Sequence, residues 1–215
     1  MYRRIFWLDD SPNFFDRMEV VAKRELLSFD LTALANRTRF AFDLEMAIQI
    51  VKQDQFDLYI LDGDFPDRMP DERRAALEAY IAKVRTGLVD HFNDYPRKED
   101  HEDNVYNNGF IFYGGVQFPE DAKVVVHSMS LAAPVLAYIF GLPIYTKNDR
   151  PEEAAEQLKK DFAAWRFDRV SGAWERFIAM NGGNIDKIPL SPVADLSFYE
   201  HGGRTEFIKH YILPL

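Results

Sequence analysis

Four apolar runs in this 215-residue chain stop on residues that can do chemistry. Ile5-Phe6-Trp7-Leu8 stops at Asp9-Asp10, and Phe56 to Leu61 stops at Asp62-Gly63-Asp64 and is closed by Pro66. Lys123 to Val126 stops at His127-Ser128, and Leu142 to Tyr145 stops at Thr146-Lys147. Carboxylates gathered in one place cannot all ionise cheaply, because like charges raise one another's pKa. A hard, oxygen-liganded cation such as Mg²⁺ relieves that repulsion and suits carboxylates, a carbonyl and water. A hydroxyl (Ser128) and an ammonium (Lys147) beside such an ion are what a phosphoryl group needs. The chemistry implied is metal-assisted phosphoryl transfer to, or hydrolysis at, a carboxylate, with Asp62 expected to carry it.

That chemistry requires the four runs to end along one edge. Short, near-continuous apolar runs bounded by turn residues read as strands buried on both faces of a parallel sheet. Ligands of open α/β sheets bind outside the carboxyl ends of such strands. Helical patterns alternate with the runs. Ser11-Pro12 reads as an N-cap and first helical position, followed by Phe14, Phe15, Met18, Val21 and Leu26 roughly on one face. Phe29 to Leu34 reads as a weaker strand. Asp43 caps a helix carrying Met46, Ala47, Ile50 and Val51. Leu131 to Phe140 is an apolar helix, and Asp149 with Pro151-Glu152-Glu153 starts another that reaches Trp165. Five βα units predict an α/β fold with a five-stranded, doubly wound parallel sheet over residues 1–165.

Two stretches fall outside these units. An insertion at about 70–121 holds a predicted helix from Asp71 to Phe92 and a solvated charged loop, Arg97 to Asp103. Its aromatic run, Phe110 to Tyr113, lies between Asn107-Asn108-Gly109 and Gly114-Gly115 and reads as a hairpin. Residues 166–215 read as a C-terminal extension packed on the domain, with a helix over Ser171 to Met180.

Composition excludes several classes. A hydrophobic content of 47% and a charged content of 28% are ordinary globular values. The net charge of −9, without a basic stripe, argues against nucleic acid as a partner. With no cysteine there is neither a disulfide framework nor a thiolate metal site. The apolar run before Asp9 is too short for a signal peptide, and no segment reaches the length of a membrane span. A cytoplasmic location is expected, with no membrane contact.

The ordered set of Asp9-Asp10, Asp62, Ser128 and Lys147 resembles a divergent response-regulator receiver domain, matching over roughly residues 2–69 and 122–165. The resemblance implies a flavodoxin-like fold and Mg²⁺ bound by Asp10 directly, by Asp9 through water, by Asp62 and by the backbone carbonyl of Asp64. It implies that Asp62 accepts a phosphoryl group from a histidine kinase or small phosphodonor. Ser128 would then bond the phosphoryl group, Lys147 would be its counter-ion, and a protein effector would read the change. Asn148 stands where receivers usually carry proline, and Ile144 where they carry the switch aromatic, with Tyr145 next to it.

The set is also similar to a receiver-like group proposed to process cyclic phosphates, which pairs two acidic motifs with a His-Ser motif. There His127 would act as acid or base. Asp62-Gly63-Asp64 further matches the nucleophile motif of haloacid-dehalogenase-type phosphatases, although that leaves Asp9-Asp10 without a role. A scaffold with a vestigial acidic site is the third reading. His127, following a buried strand, equally fits a core histidine, and His91, His101, His201 and His210 lack metal-ligand spacing.

Overall fold

The computed structural model describes residues 4–11, 13–28, 30–88, 108–128, 133, 137, 140–147 and 203–213, without the side chains of 13–17. The helices expected over 149–165 and 171–180, the charged loop at 97–103 and the expected helix-initiating Pro12 lie outside them. Five strands, β1 (Ile5–Leu8), β2 (Thr38–Ala41), β3 (Leu58–Leu61), β4 (Lys123–Ser128) and β5 (Ile144–Thr146), form one sheet in the order 2-1-3-4-5. Every neighbouring pair is parallel.

The register decides what meets at the edge. Leu8 pairs with Leu61, and Leu61 pairs with Val126, so Asp9, Asp62 and His127 stand level on three adjacent strands. Backbone bonds carry the ladder that far, from Asp9 N to Ala41 O at 3.0 Å and from Asp62 N to Leu8 O at 2.9 Å.

Both faces of the sheet are covered, as continuous apolar strands require. On one face Ile5, Trp7, Leu58, Ile60, Val125 and Tyr145 pack against α1 (Asn13–Arg24), α2 (Leu31–Arg37), α4 (Asp71–Arg85) and a C-terminal helix. That helix, α6 (Arg204–Phe207), runs on into a π-helical turn, Ile208–Ile212, and buries Phe207, Ile208 and Ile212. On the other face Phe6, Leu8, Tyr59 and Leu61 meet α3 (Leu44–Gln53) and α5 (Asn108–Gly115). Beyond them Val126 and Ile144 pack with Phe110 and the helical residues Ala133 and Ala137.

Three local expectations are corrected. In place of the strand expected over Phe29 to Leu34, Leu31 to Leu34 are helical: the Asp30 side chain accepts from Ala33 N at 2.9 Å and caps α2, and the strand begins only at Thr38. The helix expected to reach Phe92 ends at Arg85, where Gly87 takes a positive φ of 70°. Its N–H donates to Val84 O and that of Leu88 to Lys83 O, the paired bonds of a Schellman motif. Phe110 to Tyr113 is helical, within α5, and not a hairpin.

The described residues of the insertion pack on the sheet, α4 on one face and α5 on the other. After β3 the chain crosses the carboxyl edge of the sheet, and its carbonyls satisfy the start of α3: Leu44 N donates to Pro66 O and Glu45 N to Asp67 O. Asp43 does the rest. Its side chain accepts from Met46 N at 2.7 Å, from Met69 N at 2.8 Å and from Arg74 Nη2 at 2.6 Å. Every otherwise orphaned N–H of the first turn thus has an acceptor, since Ala47 N reaches Asp43 O. Asp43→Ala removes the cap and strands a guanidinium, and a loss of about 3 kcal/mol or more is expected in urea unfolding. Asp43→Asn, which keeps a capping oxygen, is expected to lose less; equal stability of Asp43→Ala and wild type would contradict this role.

Candidate functional site

The residues singled out at the strand ends converge. Asp62 follows β3, and its Oδ1 accepts from Gly63 N at 2.6 Å and from Ser128 Oγ, at the end of β4, at 2.6 Å. Lys147, just past β5, sends Nζ to Asp62 Oδ2 at 2.5 Å and to Asp9 Oδ2 at 2.6 Å. Asp9 Oδ1 accepts from Ser11 N at 3.0 Å, which turns the chain away from β1. Oxygens of Asp9, Asp10 and Asp62 all lie within 4.8 Å of one another, and all three residues are buried. Asp64, two residues on, is half-buried, and its carboxylate is not part of that group.

Burial and mutual charge set the electrostatics. Burial pushes the Asp9 carboxyl up to about 7; Lys147 works against the rise, while Asp62 and Asp10 add to it. Burial works against the Lys147 ammonium too, but the Asp62 and Asp9 carboxylates outweigh it and hold its pKa above the ordinary lysine value. Three carboxylates and one ammonium leave the group a formal charge of −2. All-oxygen donors with that residual charge suit a hard divalent cation.

Both stretches outside the predicted βα units reach this site. Arg73 of α4 donates from Nη2 to Asp10 O at 3.3 Å. Arg204 of α6, only 3% exposed, donates to the carbonyl of Lys147. The closest approach is that of Gly109. Its N–H donates to Gly63 O at 3.1 Å, and a Cβ built there would lie 1.9 Å from the Asp62 carbonyl oxygen. Asn108, fully buried, donates from Nδ2 to Phe65 O at 2.8 Å and to Asp67 Oδ1 at 3.0 Å, which pins the same loop. Sequence reasoning missed these two residues because Asn-Gly is a turn signal. The signal marked a backbone that must pass close to another.

His127 sits inside the core. Its ring stacks on Phe207 at 4.0 Å and 5° and meets Trp7 edge-on at 6.3 Å. Neither ring nitrogen has a hydrogen-bond partner among the described residues. Burial, and then the positive charges of Lys147 and Arg204, hold its pKa well below the usual histidine value. Ile144 faces Phe110 and Ala133, whereas Tyr145 lies on the opposite face, its hydroxyl 2.9 Å from His210 Nδ1.

Strand order 2-1-3-4-5 with helices on both faces defines the doubly wound, flavodoxin-like class, the fold of receiver domains. The chain has that fold. No protein-family model matches the chain, and neither does any curated protein sequence. Two solved structures do. A CheY-like response regulator receiver domain protein from Methanospirillum hungatei JF-1 is 16% identical, with a TM-score of 0.30, over 75% of this chain and 94% of that one. A response regulator protein from Burkholderia pseudomallei, solved with a phosphorylated aspartic acid, a calcium ion and citrate, is 14% identical. That match has a TM-score of 0.31 and covers 97% of this chain and 98% of that one. Likeness at this level adds nothing to what the strand order and the site already carry.

Two predictions follow from the packing. Gly109→Ala drives a methyl group into the Asp62 backbone and is expected to lower stability by about 2 kcal/mol or more in urea unfolding; wild-type stability would contradict the close approach. His127 has its folded pKa below the unfolded value near 6.5, so the unfolded chain takes up the proton first as pH falls. Its stabilisation is therefore present above that value and declines below it, by up to about 1.4 kcal/mol per pH unit. His127→Phe, which keeps a ring against Phe207, is expected to lose less stability than wild type between pH 7 and 5. Parallel losses would contradict a buried neutral histidine.

Proposed function

We propose that this chain is a receiver-like signalling domain in which Asp62 accepts a phosphoryl group with the help of Mg²⁺. The observation that carries the reading is the placement of Ser128 Oγ and Lys147 Nζ on the two oxygens of one buried carboxylate, at 2.6 and 2.5 Å. A carboxylate nucleophile needs its charge balanced while it waits, and the incoming phosphoryl oxygens then need donors. One hydroxyl and one ammonium supply both by moving from carboxylate to phosphoryl oxygen.

In the transfer, a carboxylate oxygen of Asp62 bonds to phosphorus as the bond to the donor's leaving group breaks, and the leaving group departs with that electron pair. Asp10, Asp62, the Asp64 carbonyl and, through water, Asp9 would hold Mg²⁺, which would supply positive charge against the phosphoryl oxygens. Arg73 and Arg204 hold backbone carbonyls of Asp10 and Lys147 and keep the edge in register. The donor is a histidine kinase or a small phosphodonor, and the reader is a protein effector, with nucleic acid and membrane not involved. Among the described residues no helix is long and apolar enough to cross a membrane; we take the protein to act in the cytoplasm. Read-out by a swinging aromatic has no side chain to use at Ile144, and Tyr145 is tied to His210.

The hydrolytic alternatives draw less support. An acid/base role for His127 would need an exposed, partnered imidazole, and this ring is 1% exposed and stacked. A haloacid-dehalogenase-type reading leaves the Asp9-Asp10 pair, which contributes two of the three clustered carboxylates, without a task.

Incubation with acetyl phosphate and Mg²⁺, followed by intact mass measurement, tests the proposal. A single phosphoryl adduct is expected, lost in Asp62→Asn and on adding EDTA, and reduced by about 100-fold in rate in Lys147→Ala. No adduct on folded wild type, or an adduct that persists in Asp62→Asn, would overturn it.

A further inference from the structure

At the opposite, amino-terminal edge of the sheet lies a cleft of about 460 Å³ that the acidic site does not use. Four arginines line it: Arg4 before β1, Arg37 at the end of α2, Arg39 in β2, and Arg85 at the end of α4, with Thr38 and Phe56 beside them. Concentrating four guanidinium groups in one cleft is conspicuous in a chain of net charge −9.

Two of these charges, on Arg39 and Arg85, have no acid against them among the described residues. Arg4 is paired, with Asp54 at 2.7 Å, and lies over the Phe56 ring at 5.2 Å. Arg85 spends its donors on neutral carbonyls, from Nε to Ala35 O at 3.2 Å and from Nη2 to Thr38 O at 2.9 Å. No acid pairs with it among the described residues. Arg39 is exposed, and no hydrogen bond or ion pair engages it among the described residues. Arg85 is close enough to feel it: burial first, and then the charge of Arg39, lowers the Arg85 pKa. Like charges held together without a counter-ion destabilise a fold unless an anion is supplied from outside.

We infer that the Arg4, Arg37, Arg39 and Arg85 cleft binds a small phosphate-bearing anion with at least two negative charges, a phosphate monoester or diphosphate. Two positive charges, on Arg39 and Arg85, stand without an acid, which matches two negative charges on the ligand. Guanidinium forks on several sides of the cleft suit the many oxygens of a phosphate better than a single planar carboxylate. The Thr38 position, where Arg85 already grips the backbone, joins this cleft to the start of β2. The site lies at the amino ends of the strands whose carboxyl ends carry Asp9 and Asp62, and it shares no residue with that acidic group.

Titration calorimetry with inorganic pyrophosphate, at low ionic strength and without Mg²⁺, is the test. Saturable one-to-one binding is expected, weakened about tenfold or more in Arg39→Gln and again in Arg37→Gln. Arg39 is exposed and Arg37 half-exposed, and circular dichroism would verify that both variants keep the fold. Asp62→Asn is expected to bind as tightly as wild type. Sulfate and citrate at matched ionic strength are expected to bind more weakly. Absence of binding, equal affinity in Arg39→Gln, loss in Asp62→Asn, or citrate binding as tightly as pyrophosphate would each overturn the assignment.

Discussion

The structure depends on the ion cluster in which the Lys147 ammonium is shared between Asp9 and Asp62, with Asp10 alongside. Burying three carboxylates at the edge of a sheet is strongly unfavourable, and one lysine, itself only 11% exposed, makes it tolerable. The compensation is partial. The Asp9 carboxyl remains pushed up to about 7, because burial, with Asp62 and Asp10 adding to it, outweighs the pull of Lys147. An edge that holds unrelieved charge in a buried setting favours whatever brings positive charge to it, and such perturbed groups mark functional sites more often than structural ones.

The rest of the fold is arranged so that this cluster can exist. Parallel register sets Asp9 level with Asp62, and the order 2-1-3-4-5 puts β3 at the centre, between the acids of β1 and the hydroxyl of β4. The additional segments then close around it. The strap from Pro66 to Met69 completes the first turn of α3, and Asn108-Gly109 lies directly on the Asp62 loop. On the other side α6 lays Phe207 over His127 and ties Arg204 to the Lys147 carbonyl. A segment that reads as an addition to the sheet is, in space, the brace of its central loop.

Much of this was legible in the residues. Apolar runs that end abruptly on Asp9, Asp62, Ser128 and Lys147 report both strand and edge, because a strand buried on two faces has no other place for charge. Asp43 was legible as a cap for the same local reason. What failed were signals that serve two purposes. Leu31 and Leu34 have strand-like character, but an aspartate ahead of them caps a helix instead, and Thr86-Gly87 ends α4 earlier than its apolar pattern suggested. Asn108-Gly109 looks like a turn because both turns and close backbone contacts select glycine; only the tertiary neighbour distinguishes them. The reach of Arg73 and Arg204 into the site had no local signal at all.

The most direct test of the central claim is a crystal structure of the protein with Mg²⁺ and beryllofluoride, a mimic of an acyl-linked phosphoryl group. The account predicts beryllium bonded to a carboxylate oxygen of Asp62, with Lys147 Nζ and Ser128 Oγ moved onto its fluorines. A metal ion would lie against Asp10 and Asp62. A structure from saturating conditions in which Lys147 still bridges Asp9 and Asp62, with no adduct and no metal, would contradict it.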